Sequence, residues 1–124
     1  MTISLKEILQ LNNSLKSIIQ NTESNINPSL KFKLLGIMKN IEIPVTNFET
    51  IRNEKICKYG KDDGTGKFTI PNDDKEAINN FMNDIDEIIN SDVEVYITKI
   101  KSKDVFNKGL SAEHLLELYP IIEE

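Results

Sequence analysis

The feature that most constrains the fold is a long row of apolar residues at helical spacing, which runs from Leu30 towards Tyr59. Residues three and four positions apart share one face of an α-helix, so this row predicts an amphipathic helix that buries that face. Pro28 suits the first helical position, and Gly60 suits the position just past the end. Pro44 interrupts the row, because a proline inside a helix removes a backbone hydrogen bond and costs about 3 kcal/mol. We therefore predict a long helix bent near Pro44, with two shorter helices as the alternative.

Two further apolar stripes predict two further helices. Ser4 and Glu7 have the spacing of a capping box and precede a stripe of about four helical turns. The polar run over residues 21–27 breaks the period, so we expect a short loop there and an antiparallel hairpin with the next helix. Asn72 or Asp73 is expected to cap the third helix. Its stripe consists of Ile78, Phe81, Met82, Ile85, Ile88 and Ile89.

The remaining segments predict two strands and a short last helix. Phe68–Ile70 is bounded by Pro71, and apolar residues alternate with polar ones over Val93–Ile97. Such alternation is typical of a half-buried strand, and we expect these two strands to pair. Ser111 can cap a final short helix that Pro120 limits, and the following Ile121-Ile122 is expected to hold the tail on the core.

Together these elements predict one mostly helical α+β domain over residues 1–124 with a small two-stranded antiparallel sheet. Residues 1–60 would form the helical hairpin, and residues 61–124 a strand–helix–strand–helix unit. Hydrophobic residues make up 39% and charged residues 28% of the chain, which is typical of a globular protein. The single cysteine excludes an internal disulfide framework.

The charges are unevenly distributed along the chain. Residues 1–60 carry seven lysines, one arginine and five acids, whereas residues 61–124 carry seven lysines and fifteen acids. The run from Asp73 to Glu94 holds eight acids and only Lys75 to oppose them. This run indicates a solvated helix face, a docking face for a basic partner, or head-to-tail self-association.

The net charge of -5 argues against broad nucleic-acid binding, and no apolar run is long enough for a membrane span.

No residue pattern specifies a catalytic or metal site. The segment Gly60–Phe68 lacks the glycine and the Ser or Thr that a phosphate loop needs, so we interpret it as a turn. Asp62 and Asp63 lack the alternating ligands of a calcium loop. His114 stands alone, and Cys57 is expected to be a buried or half-buried thiol. We therefore predict a protein without enzymatic activity, cofactor or metal.

The chain resembles a group of small, mostly uncharacterised proteins of tailed phages and prophages from low-GC bacteria. The segments that carry the resemblance are residues 48–55, 58–60, 68–71, 73–90, 93–97 and 110–113. The resemblance implies a phage context and brings no catalytic motif. It places the protein in the cytoplasm of the bacterial host or in the virion.

Our leading hypothesis is a non-enzymatic phage interaction or assembly protein that self-associates and binds a phage or host protein, but neither nucleic acid nor membrane. The alternative is a small acidic inhibitor of a host defence protein or host enzyme, in which the acidic run imitates nucleic-acid charge. The candidate contact residues form two surfaces. One is the face of the second helix around Phe48, Arg52 and Tyr59, and the other is the acidic third helix with Asp84, Asp86 and Glu87.

Overall fold

A computed structural model describes residues 1–20 and 26–124 of the chain. The helices are α1 (Leu5–Gln20), α2 (Pro28–Asn40), α3 (Glu42–Tyr59), α4 (Lys75–Ile89) and α5 (Ala112–Glu117). The strands are β1 (Thr2–Ser4), β2 (Lys61–Asp62), β3 (Phe68–Thr69), β4 (Asp92–Glu94), β5 (Ile100–Lys101) and β6 (Ile122–Glu123). The mostly helical α+β fold is therefore confirmed.

The predicted capping box starts α1. Ser4 Oγ accepts a hydrogen bond from the Glu7 backbone N–H and donates one to the Glu7 carboxylate, both at 3.2 Å. Ser4 is also the last residue of β1, so the same residue ends the strand and caps the helix. The loop predicted for residues 21–27 falls mostly on residues 21–25, which lie outside the described residues.

The apolar row from Leu30 towards Tyr59 forms two helices, not one bent helix. The break lies at Ile41, which is completely buried. Pro44 is thereby the third residue of α3, within the first turn, where backbone N–H groups have no partner inside the helix. The proline therefore costs no helical hydrogen bond at this position. The expected bend at Pro44 is wrong, and the alternative of two shorter helices is confirmed.

The core lies where α1 packs against α2 and α3, in agreement with the predicted hairpin. The C-terminal residues Leu118 and Ile121 are each 1% exposed and belong to the same cluster, so the tail is held on the core as expected. Each fully buried Leu or Ile contributes roughly 1.5–3 kcal/mol before the entropy cost. The completely buried residues of this cluster are Ile8, Leu15, Leu34 and Ile41.

The strand pairing differs from the prediction. β4 pairs antiparallel with β1 at the start of the chain, and β3 pairs antiparallel with β2 in a hairpin. The expected pair between Phe68–Ile70 and Val93–Ile97 is therefore wrong, because each segment has another partner. β5 and β6 form a third ladder, which is parallel. The alternating burial is nevertheless real, since Val95 is buried while Tyr96 is 76% exposed.

A tight turn closes the β2–β3 hairpin. Asp62 Oδ1 accepts hydrogen bonds from the Gly64 and Gly66 backbone N–H groups at 2.8 and 3.0 Å. Both glycines have positive φ, 94° and 89°, a conformation that residues with a Cβ rarely adopt. Asp63 accepts from the Thr65 hydroxyl and backbone N–H, and these bonds lower the pKa of its carboxyl. The predicted turn is confirmed, and its acids act as backbone acceptors.

α4 is capped by Asp74, whose carboxylate accepts from the Ala77 backbone N–H at 3.1 Å. The expected caps, Asn72 and Asp73, lie two residues and one residue too early. α4 packs chiefly on α3, and only Ala77 of its residues is fully buried. Its apolar stripe is therefore a half-buried face, with Met82 50% exposed at its edge.

Candidate interaction surfaces

Two of the predicted contact residues bind each other. The Tyr59 hydroxyl at the end of α3 donates a hydrogen bond to Asp84 Oδ2 on α4 at 2.6 Å. Lys55 Nζ lies 3.4 Å from the same carboxylate oxygen. The Tyr59 hydrogen bond, together with Lys55, lowers the pKa of Asp84, and the same bond raises the pKa of Tyr59. This network joins the two faces that the sequence suggested as separate surfaces.

The other four predicted residues are distributed over different environments. Phe48 is half-buried and packs against the core, so little of its ring is free for a partner. Arg52 is exposed beside a groove of about 640 Å³ that Phe81 also lines. Asp86 and Glu87 are exposed on α4 and form no ion pair within the described residues. An interaction role for these residues stays a prediction.

Three exposed large apolar side chains lie together around α5, a surface that sequence reasoning missed. Leu116 is 76%, Tyr119 72% and Phe106 49% exposed. They line a surface groove of about 790 Å³, here named the α5 groove. Its apolar lining residues are Phe106, Leu115, Leu116, Tyr119, Pro120 and Ile122, and its charged lining residues are Lys99 and Glu124.

Leu116 faces solvent because of the way in which the short helix α5 is fixed to the core. Ser111 Oγ accepts a hydrogen bond from the His114 backbone N–H at 3.2 Å, which confirms the predicted cap. Leu118 anchors the C-terminal end of the helix in the core at 1% exposure. Since successive helical residues are rotated by about 100°, Leu116 lies about 200° around the helix axis from Leu118. Burial of Leu118 therefore directs Leu116 outward.

The two reactive side chains that the sequence singled out, Cys57 and His114, lie on different helices. Cys57 is exposed, so the expectation of a buried or half-buried thiol is wrong. Its position in the last turn of α3, outside the core cluster, explains the exposure. His114 is half-buried on α5. In the described part of the chain, no three His, Cys, Asp or Glu side chains are grouped to hold a metal ion.

Comparisons with known proteins identify no relative. No protein-family model, no curated protein and no solved structure matches this chain. The resemblance to phage proteins accordingly stays a prediction. Among residues 1–20 and 26–124, no helix is long and apolar enough to cross a membrane.

Proposed function

We propose that this chain is a non-enzymatic interaction protein that self-associates through the α5 groove. The observation that carries this proposal is the exposure of Leu116 and Tyr119, at 76% and 72%, beside a groove that the same side chains line. Large apolar side chains that lie together on a surface mark a site of association, whereas scattered ones do not. Aromatic residues such as Tyr119 are also enriched among the residues that dominate binding energy.

A second copy of the chain is the occupant that the surface favours. A two-fold interface uses the same patch on both copies, so the patch must be complementary to itself. The α5 groove provides protruding side chains and a concave lining together. It also carries one positive and one negative residue, Lys99 and Glu124, so a two-fold arrangement can pair them across the interface twice.

The exposed side chains of the α5 groove supply part of the area that a stable dimer interface needs. With aromatic side chains of about 150–250 Å², the exposed fractions of Phe106 and Tyr119 correspond to roughly 180–300 Å² per copy. Two copies would remove roughly 360–600 Å² from water through these two residues, and Leu116 adds to this area, towards the ~1,200 Å² lower limit of stable interfaces.

The molecular mass of the protein in solution tests this proposal. We expect sedimentation equilibrium to show a wild-type dimer at about 100 µM, a concentration well above the Kd of a micromolar interface. Leu116→Asp and Tyr119→Asp should give monomers that keep the wild-type melting temperature at concentrations below the dimer Kd, because both side chains are exposed. Met82→Asp is the matched control, since Met82 is exposed on α4 outside the groove. A monomeric wild-type protein, or a dimer that survives both groove variants, contradicts the proposal.

In the phage context that the sequence suggests, such a protein would serve in assembly, with α4 free to bind a further protein. The alternative, an acidic inhibitor of a host protein, depends on the exposed carboxylates of Asp86 and Glu87. A mass-spectrometric pull-down from infected cells separates the two roles. Recovery of phage structural proteins supports assembly. Recovery of one basic host protein, lost when Asp86 and Glu87 are changed to lysine, supports inhibition.

A further inference from the structure

Lysines from two distant segments meet at a surface cleft of about 690 Å³ between α2 and the chain around β5. This cleft is here named the lysine cleft. Its lysines are Lys33, Lys39, Lys99, Lys101 and Lys103. The sequence shows Lys99, Lys101 and Lys103 at every second position, but only the fold shows that they lie near α2. In a chain of net charge -5, such a concentration of positive charge on one face calls for a physical explanation.

The carboxylates of the lining neutralise only part of this charge. Two of them, Asp104 and Glu123, line the lysine cleft beside its five lysines. Asp104 lies 3.4 Å from Lys33, whereas Glu123 lies opposite Lys101 in the β5–β6 ladder without an ion pair to it. Within the part of the chain that the structure describes, the contact between Lys33 and Asp104 is the one ion pair among these residues. The cleft therefore carries a surplus of three positive charges that repel one another when it is empty.

The lining indicates what kind of molecule would relieve this repulsion. Its large apolar residues, Ile37 and Ile100, are each 4% exposed, so a protein segment would gain little apolar burial there. The lining includes no aromatic side chain on which a nucleic-acid base could stack. Lysine amines, in contrast, bind phosphate oxygens as point charges. The Asn40 side chain adds a neutral hydrogen-bonding group to the lining.

We propose that the lysine cleft is a binding site for a compact phosphate-bearing small molecule with several negative charges. Gly36 supports this assignment, because a Cβ added there would meet no atom within 4 Å and the cleft is therefore open above α2. The two carboxylates of the lining disfavour a long phosphate chain and favour a ligand that fits between the lysines. The test of this inference does not depend on self-association, since Lys39 and Lys103 lie outside the α5 groove. Lys99 lines both surfaces, so a dimer that pairs Lys99 with Glu124 would leave the cleft a surplus of two positive charges.

Isothermal titration of the full chain with inorganic tripolyphosphate tests the site. We expect saturable binding that weakens as salt is raised, because the contacts are ionic. Lys39→Gln/Lys103→Gln should weaken binding by about tenfold or more, since two charge-assisted contacts are lost. The matched control is Lys61→Gln/Lys67→Gln, which removes the same charge from the β2–β3 hairpin outside the cleft. This control should bind like the wild type.

A second variant separates the shape of the cleft from its charge. Gly36→Leu places a side chain in the open space above α2 without a change of charge. It should abolish tripolyphosphate binding, while the melting temperature stays at or slightly above that of the wild type because leucine favours a helix more than glycine does. Absence of binding to wild-type protein overturns the proposal, and so does an equal loss in both lysine double variants. Preference for a peptide that copies the acidic residues 73–94 over tripolyphosphate also overturns it, in favour of an acidic protein segment.

Discussion

Gly60→Ala is expected to destabilise the protein by a steric mechanism. Gly60 follows α3 with φ -93° and ψ 179°, an extended conformation that any residue adopts. The conformational freedom of glycine is therefore not what this position requires. A Cβ at Gly60 would lie 2.5 Å from the Ile56 carbonyl oxygen and 2.7 Å from the Thr69 carbonyl oxygen. Both atoms are backbone, one at the end of α3 and one in β3, so neither can rotate away as a side chain would.

The size of the effect follows from what must move. The Gly60 backbone N–H donates to the same Ile56 oxygen at 2.7 Å, so a shift that relieves the clash also weakens this hydrogen bond. Excess volume in a packed site costs about 1–3 kcal/mol. For a domain of this length, 1 kcal/mol changes the melting temperature by about 3–6 °C. We therefore expect Gly60→Ala to melt roughly 5–15 °C below the wild type.

Thermal unfolding by circular dichroism measures this loss, and two further glycine variants define its cause. Gly36→Ala is the control, because its added Cβ meets nothing and alanine favours a helix interior by about 0.5–1 kcal/mol. This variant should melt slightly above the wild type. Gly60→Asn tests the alternative cause, since asparagine tolerates the left-handed conformation but still carries a Cβ. A wild-type melting temperature for either Gly60 variant would refute the steric explanation.

Two other outcomes are expected. Leu34→Asp should lower the free energy of unfolding by about 4 kcal/mol or more and Phe48→Asp by less, because Leu34 is completely buried whereas Phe48 is half-buried. Lys39→Asp should change it by no more than about 0.5 kcal/mol, because Lys39 is exposed. Equal melting temperatures of the three variants would contradict the assigned core. The pKa of Asp84 is lowered in the fold, so the contribution of Asp84 to stability is present at neutral pH and is lost as the pH falls through the lowered pKa. The pKa of Tyr59 is raised, so the contribution of Tyr59 is lost as the pH rises through the raised pKa. Urea unfolding at stepped pH measures both losses, and an acid-side profile unchanged by Asp84→Asn would contradict the network.

Local signals in the sequence were sufficient for the first and last helix caps. The Ser4 capping box and the Ser111 cap depend on residues within one turn, so neighbouring side chains determine them. The consequence of Pro44 was harder to predict, because its cost depends on whether it falls in a first turn or a helix interior. The break lies at Ile41, which is buried in the same core cluster as residues of the distant helix α1, and such long-range contacts are not visible in a local pattern.

Long-range pairing could not be predicted in this way. β1 and β4 are some 90 residues apart in the chain, and three-residue strands carry too little pattern to identify a partner. The contact between Tyr59 and Asp84 illustrates the same limit at the level of side chains. Both residues were selected from the sequence, but as members of two separate surfaces. Only the packing of α3 on α4 shows that they satisfy each other, which reduces what either offers to a partner.

The two proposed surfaces show why function was less accessible than fold. The sequence places Leu115, Leu116 and Leu118 in one short final helix. A helix of six residues cannot bury all of them, because adjacent residues point about 100° apart, and this conflict is the one signal that could have revealed the α5 groove. The lysine cleft has no comparable local signal, since its charges come from α2 and β5. Lys99 lines both surfaces, so a change of Lys99 would affect self-association and anion binding together, whereas Leu116 and Lys103 each lie in only one of them. Variants at those two residues therefore distinguish the two activities within a single folded chain.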